Sequence, residues 1–274
     1  MFFKRKRKVK YKSSSSLLKD PNINKKVSFC ISHKNRFSYL QQTMLSNLQD
    51  NEQDSDIIEF VVVDFGSDID VGEWMANEFG EYIRSGYLKY FFTDQLGDWH
   101  ASLAKNTTHL LANGAILVNL DCDNFTGKNG GKFVHDQFMS RDHGILLWQY
   151  SKKKLDGSFG RIAMTRDEFD GLGGYNEALL PMGYQDGDLR NRLISSGLEL
   201  VHDTNEMYNQ AIKNEKFVPK EMSWKKMNEQ NQRVSKENIK NNRLVANEGK
   251  LYGIRNDILH LDPDALKMKP FLKP

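Results

Sequence analysis

The sequence predicts an α/β protein with a mostly parallel central sheet flanked by helices. Three observations lead there. Apolar runs of strand length recur along the first 150 residues, and one of them, ILVNL at 116–120, suits a strand buried on both faces. Segments with apolar residues at helical spacing lie between these runs. Strands alternating with helices at this spacing imply parallel pairing through right-handed crossovers.

Residues 1–25 read as a basic, disordered tail that ends in Ser13 to Ser16 and Pro21. VSFCIS (27–32) is the first strand, followed by a polar turn, HKNR. A helix then runs through FSYLQQTMLSNLQ, where Leu40, Met44, Leu45 and Leu48 recur at helical spacing. After the acidic loop NEQDSD, IIEFVVVDFGS gives a second strand that ends in Asp64 and the breaker Gly66-Ser67. Residues 71–84 are helical, and GYLKYFF (86–92) is a third strand. WHASLAKNTTHLLANG is a helix closed by Gly114, where a C-terminal glycine belongs. It leads into ILVNL. Beyond it, GILLWQY (144–150) is a strand, and GYQDGDLRNRL is a turn into a helix closed by Gly197. Residues 26–202 thus form one α/β domain. Residues 203–274 are a polar, Asn- and Lys-rich extension expected to pack on or cover the site, with few apolar anchors beyond Phe217, Trp224 and Leu244.

Composition sets limits on partners. Hydrophobic residues at 39% and charged residues at 27% describe an ordinary globular protein. No run of about 18 apolar residues occurs, which excludes a transmembrane helix in this sequence. The N-terminus has basic residues but no apolar stretch behind them, so it is not read as a secretory signal. Two cysteines, Cys30 and Cys122, are too few for a disulfide scaffold and suit buried thiols in a reducing compartment. A cytoplasmic location is expected. Residues 1–12 hold seven of the 39 Lys and Arg and none of the 36 acids, so the remainder carries 32 bases against 36 acids, net −4. A slightly acidic body excludes a nucleic-acid-binding surface. The basic tail suits either a solvated arm or a peripheral contact with the inner face of an anionic membrane.

Three clusters have the residue types that chemistry needs. Asp121-x-Asp123 stands at a strand end, the edge where α/β proteins place ligands. Hard divalent cations take one or two carboxylates plus substrate phosphate oxygens. Alone the tripeptide is unspecific, because a solvated turn also explains it. Asp186 and Asp188 open a predicted helix, where capping needs only one acid; a carboxylate there can take a proton from an attacking hydroxyl. The exit of the first strand, His33-Lys34-Asn35-Arg36, offers donors to a nucleotide or phosphate, with Asp64 beside it to accept from a base or ribose edge.

In this order the clusters resemble nucleotide-sugar glycosyltransferases of the GT-A (Rossmann-like) fold. ISHKNRFSYL resembles the Pro-Phe-Arg-Asn-Arg nucleotide-binding turn of the beta-1,4-galactosyltransferase family. FGRIAMTRDEFDGLGGYNEALLPMGYQDGDLRNRL resembles the same family's FGG to N-R-L segment. DWHASLAKNTTHLLANGAILVNLDCD is similar to the broad family 2 and chondroitin-polymerase type. Together the resemblances span roughly residues 27–200, and 159–193 is their most specific part.

The resemblance implies Mn²⁺ or Mg²⁺ on Asp123 and a UDP-sugar donor held by Ser32, His33, Asn35, Arg36, Asp64, Asp121 and Cys122. It implies Asp186 as catalytic base, and an acceptor (a glycan, polysaccharide or lipid-linked saccharide) met by Tyr184, Gln185 and Asp188. The family's additional histidine ligand would be His202, with His100 and His143 as weaker candidates. Two departures stand out: Gln185 replaces the family's Glu, and Met182 or Tyr184 replaces its acceptor-platform Trp. The expected activity is inverting transfer of a hexose or N-acetylhexosamine to a hydroxyl. Two rivals remain: a nucleotidyltransferase, which the glycine-free ISHKNRF turn opposes, and a sugar-nucleotide-binding protein without turnover, which Gln185 favours.

Overall fold

The computed structural model describes Leu18 and residues 24–152, 157–213 and 222–272; the basic tail and Phe217 lie outside these. The first half alternates as expected: β1 (Val27–His33), α1 (Phe37–Asn51), β2 (Ile58–Asp64), α2 (Val71–Arg84), β3 (Leu88–Phe92), α3 (Ala101–Leu111) and β4 (Ile116–Asn119). A short β5 (Asn124–Phe125) and α4 (Gly130–Met139) follow, then β6 (Ile145–Gln149), β7 (Ile162–Thr165) and α5 (Arg166–Gly171). The chain continues through α6 (Gln185–Ser196), β8 (Glu199–Asp203), β9 (Gln210–Ala211), α7 (Trp224–Lys240), β10 (Leu259–Leu261) and β11 (Met268–Pro270).

Nine of these strands form one sheet in the order β11-β10-β3-β2-β1-β4-β7-β6-β8. The strands from β3 to β4 are parallel to their neighbours, β7 runs antiparallel between β4 and β6, and β8 is parallel to β6. Seven strands (β1 to β4, β6, β8 and β11) therefore run in one direction, toward the edge where β7 begins. Alternate residues of β2 feed opposite cores. Phe60 and Val62 pack with Leu40, Met44 and Leu48 of α1, whereas Val61 and Val63 pack with Ala104 of α3 and Leu189 and Leu193 of α6.

The C-terminal extension does more than cover a surface. β10 pairs with β3 and closes that side of the sheet. In α7, Asn231 is buried and donates to the carbonyls of Leu180, Met182 and Gly183, the loop that enters α6. Gly114 is not the helix cap that its position suggested. α3 ends at Leu111 and Ala112 is extended, while a β-carbon on Gly114 would collide with the carbonyl of Lys26. The glycine lets two chain segments approach where β1 and β4 begin to pair. Leu45, expected on the inner face of α1, is 47% exposed.

The inner face of α1 instead carries a ladder of buried polar residues, Thr43, Asn47 and Asn51. Thr43 Oγ1 donates to the carbonyl of Cys122 (2.8 Å), and Asn47 donates to that of Asn124 (3.0 Å) and accepts from the Thr126 amide (2.8 Å). Asn51 donates to Thr126 Oγ1 (2.7 Å) and accepts from the Gly131 amide (2.7 Å). One helix face thus fixes the backbone leaving β4. Removing such a partner strands buried groups, so Asn47→Ala is expected to lower stability by about 2 kcal/mol. Urea unfolding should show this as a lower midpoint at unchanged slope.

Candidate active site

The parallel strand ends bring together segments that are distant in sequence. On the β1–β2 side the turn after β1 locks onto the turn after β2. Asn35 adopts a left-handed backbone (φ 52°), which Asn tolerates better than most residues. It exchanges hydrogen bonds with Asp68: Nδ2 donates to Oδ2 (3.0 Å), and the Asp68 amide donates to Asn35 Oδ1 (2.8 Å). Ser67 accepts from the Asn35 amide, donates to Asp64 Oδ1 (2.7 Å) and lies 3.2 Å from His33 Nε2. Asp64 is buried and also accepts from Tyr90. Burial and the Arg36 cation lower the His33 pKa to about 4, so its ring is neutral at pH 7. Ser32 points to the other face of the sheet, 2.9 Å from Thr108 of α3.

Arg36 reaches from this turn toward the β4 exit. Its guanidinium lies over the Tyr39 ring and 3.5 Å from Asp123 Oδ2. Asp123 is almost buried and also accepts from the Asn124 side chain (2.6 Å). Arg161, buried at the start of β7, donates to Asn124 Oδ1 (2.9 Å) and to the carbonyls of Tyr208 and Gln210. This guanidinium ties the β5–β9 ribbon to the strand exit.

Asp121 and Asp186 face each other across Lys105. The Lys105 ammonium, on a side chain only 9% exposed, donates to Asp186 Oδ1 at 2.7 Å and sits 3.5 Å from Asp121 Oδ1. Burial opposes its charge, but the two carboxylates outweigh that and hold its pKa above the ordinary lysine value. Tyr175 donates to the same Asp186 oxygen (3.2 Å). Asp186 Oδ2 points instead toward Gly160, where an added β-carbon would lie 3.1 Å from it and 2.7 Å from Asp121 Oδ2. Glycine at 160 therefore keeps open the space between the carboxylates. Burial raises the Asp186 pKa and the Asp121 charge adds to this, while Lys105 only partly offsets them. The result is a carboxylate of increased basicity at the positive N-terminal end of α6.

Not every expected residue joins this group. Asp188 is fully enclosed and paired with Arg192 (2.8 Å), so it supports α6 from within and offers nothing to an acceptor. Gln185 is buried and donates to the carbonyl of Leu180. Tyr184 takes a left-handed backbone as the residue before α6 and accepts from Asn191. The Cys122 thiol is packed in the apolar core, where burial raises its pKa, so only its backbone borders the site. His202 is exposed on β8 beside Trp148 and Tyr150, and does not join Asp123 as a ligand. His143 pairs with Glu199 at the surface, and His100 caps α3. Sequence reasoning missed Lys105, Tyr175, Gly160 and Arg161. The available signal for Lys105 was a charged residue inside an otherwise apolar and small-residue helix face.

Among the described residues no three His, Cys, Asp or Glu side chains form a metal-binding group. The donor set around Asp123 therefore does not suit an all-protein cage. Asp123 offers a single carboxylate, shared with Arg36 at 3.5 Å, so a hard cation there would need phosphate oxygens to complete its shell.

No family model matches the sequence, and no curated protein matches it. Solved structures do resemble it. S. aureus TarS 1–349 matches with a TM-score of 0.56 at 16% identity, covering 68% of this chain and 60% of that one. The same fragment in complex with UDP-GlcNAc matches at 0.55 and 16% identity, over 70% and 60%. The mannosyltransferase PcManGT from Pyrobaculum calidifontis, in complex with GDP-Man and Mn²⁺, matches at 0.57 and 18% identity, over 84% and 70%. The chain has the GT-A-like α/β fold of these structures, and it spans 60% of the length of the TarS fragment.

The position of Lys105 can be tested by titration. Its cation lowers the Asp186 pKa against the effect of burial, so the Asp186 carboxyl of Lys105→Met should protonate at a higher pH than that of the wild type. Carbon-13 NMR of labelled aspartates measures this.

Proposed function

We propose that this protein is an inverting glycosyltransferase that moves a hexose or N-acetylhexosamine from a UDP-sugar to a hydroxyl of a glycan or lipid-linked saccharide. The observation that carries the proposal is the split role of Asp186. Lys105 and Tyr175 hold one carboxylate oxygen, while the other faces the gap at Gly160 beside Asp121. A positioned carboxylate with raised pKa is suited to general-base chemistry. The fold likeness to structures holding UDP-GlcNAc and GDP-Man supports a sugar-nucleotide donor.

In this mechanism the turns after β1 and β2 receive the nucleotide. Asn35 and Arg36 face the diphosphate, while the buried His33 supports the turn through Ser67. Asp64 acts through Ser67 to hold the turn's shape. Asp123 would hold Mn²⁺ or Mg²⁺ together with the diphosphate oxygens, and the cation would offset the charge that builds on the departing UDP. Asp121 contacts the sugar-nucleotide. An acceptor hydroxyl attacks the anomeric carbon from the face opposite UDP as its proton passes to Asp186 Oδ2. The new C–O bond forms while the bond to the diphosphate breaks with its electron pair, which inverts the configuration. Gln185, which stands where the resembled family has Glu, is committed to the Leu180 carbonyl and so serves the loop before α6.

Many glycosyltransferases slowly hydrolyse their donor, so the acceptor need not be known to test this. With Mn²⁺ and a panel of UDP- and GDP-sugars, nucleotide release from one UDP-sugar is expected, abolished by EDTA and by Asp123→Ala. Asp186→Asn should reduce it about 10²- to 10⁴-fold. Hydrolysis that survives Asp186→Asn would contradict the assigned base.

A further inference from the structure

The wall of the site on its β6–β8 side is aromatic, which the roles assigned so far do not use. Trp148 and Tyr150 pack with ring centroids 4.4 Å apart and planes tilted by 39°, and Phe159 stacks on Tyr150 at 5.1 Å with the planes 24° apart. His202 closes the group, 5.3 Å from Trp148, with Nδ1 3.3 Å from the Tyr150 hydroxyl. The Trp148 indole N–H donates to the carbonyl of Phe159 (3.0 Å), and Arg190 lies 3.9 Å over the Trp148 ring. Both contacts fix the rings from behind or beside. Phe159 nevertheless leaves 47% of its surface exposed. A phenyl ring held this firmly and left half in water has a free face prepared for a partner.

Two connections join this face to the carboxylates. Phe159 is bonded to Gly160, the residue between Asp121 and Asp186. Arg190 is four residues after Asp186 on α6, hence on the same side of that helix. The sheet order then sets the direction of approach. The donor turn lies over β1 and β2, the carboxylates lie at β4 and β7, and the aromatic face lies over β6 and β8. Attack from the side opposite the leaving group requires the acceptor to arrive from β6 and β8.

Resting on the transferase reading, we infer that Phe159, backed by Tyr150 and Trp148 and bordered by His202 and Arg190, is the platform on which a pyranose ring of a saccharide acceptor stacks. A sugar presents one flat face of C–H groups and an edge of hydroxyls. The platform matches it with an aromatic face rimmed by the Tyr150 hydroxyl, the His202 imidazole and the Arg190 guanidinium. A lipid chain would need a broader apolar surface than one exposed ring. The platform takes the place of the acceptor contacts expected from Gln185 and Asp188, which are both buried.

Because Phe159 is exposed at a turn, replacing it tests the site without emptying the core. Labelled wild type, Phe159→Ala, Phe159→Trp and Leu251→Ala, the last on a distant 82%-exposed residue, would be applied to a glycan array and to neutral phosphatidylcholine vesicles. UDP binding would be measured on the same preparations. The wild type should retain a subset of saccharides and no vesicles. Phe159→Ala should weaken that retention about tenfold or more, while Phe159→Trp and Leu251→Ala keep it. Equal retention by Phe159→Ala, no saccharide retained by the wild type, or vesicle binding lost in Phe159→Ala would each overturn the platform. A wild type that binds UDP but no saccharide sinks the platform alone. One that binds saccharides through Phe159 but no UDP keeps the platform and sinks the transferase reading.

Discussion

A single ammonium group, that of Lys105, organises the candidate site of this molecule. Two carboxylates from different parts of the chain, Asp121 and Asp186, meet on this cation at the edge of the sheet. Burial and the Asp121 charge both favour the protonated form of Asp186. Lys105 partly offsets this and bridges the pair. It also decides which oxygen of Asp186 is engaged and which one faces the gap at Gly160. Tyr175 adds a neutral hydrogen bond to the engaged side, and Gly160 supplies the missing volume on the other.

This arrangement depends on backbone that the apolar core alone would not fix. The exit of β4 leaves the main sheet at Leu120 and regains a strand partner only in the short β5–β9 ribbon. Thr43, Asn47 and Asn51 secure it from α1, and Arg161 secures it from β7. These side chains use buried hydrogen bonds for placement, which is costly wherever a partner is missing and specific wherever the set is complete. On the far side, Asn231 of α7 fixes the loop before α6. The helix that carries Asp186 is thus held by a part of the chain that looks, from its polarity, like a surface appendage.

The strands and helices up to β4 were legible because each is set by a local period: apolar runs for β2 and β4, and i, i+3, i+4 recurrence for α1. The strand-end acids were legible for the same reason, since their place follows from where a run stops. Long-range pairings were not. Asp186 lies 81 residues from Lys105, and no local pattern joins them. The sequence DGDLRNRL also hides which of its two acids turns inward. Only the fold separates Asp188, neutralised by Arg192 inside the protein, from Asp186 at the opening. β10 and β11 escaped notice because three-residue strands at a sheet edge need no apolar run. His202 misled because a histidine near the end of a strand can point to either face, and here it points to the aromatic wall.

The central claim is that the β1 turn and Asp123 together form a cation-assisted nucleotide site beside the Lys105-centred carboxylates. Calorimetric titration of UDP, with and without Mn²⁺, into the wild type and Asp123→Ala tests it most directly. Saturable binding by the wild type that requires Mn²⁺ and disappears in Asp123→Ala is the predicted result. Absence of UDP binding by the wild type under both conditions, or binding indifferent to both the metal and Asp123, would contradict it.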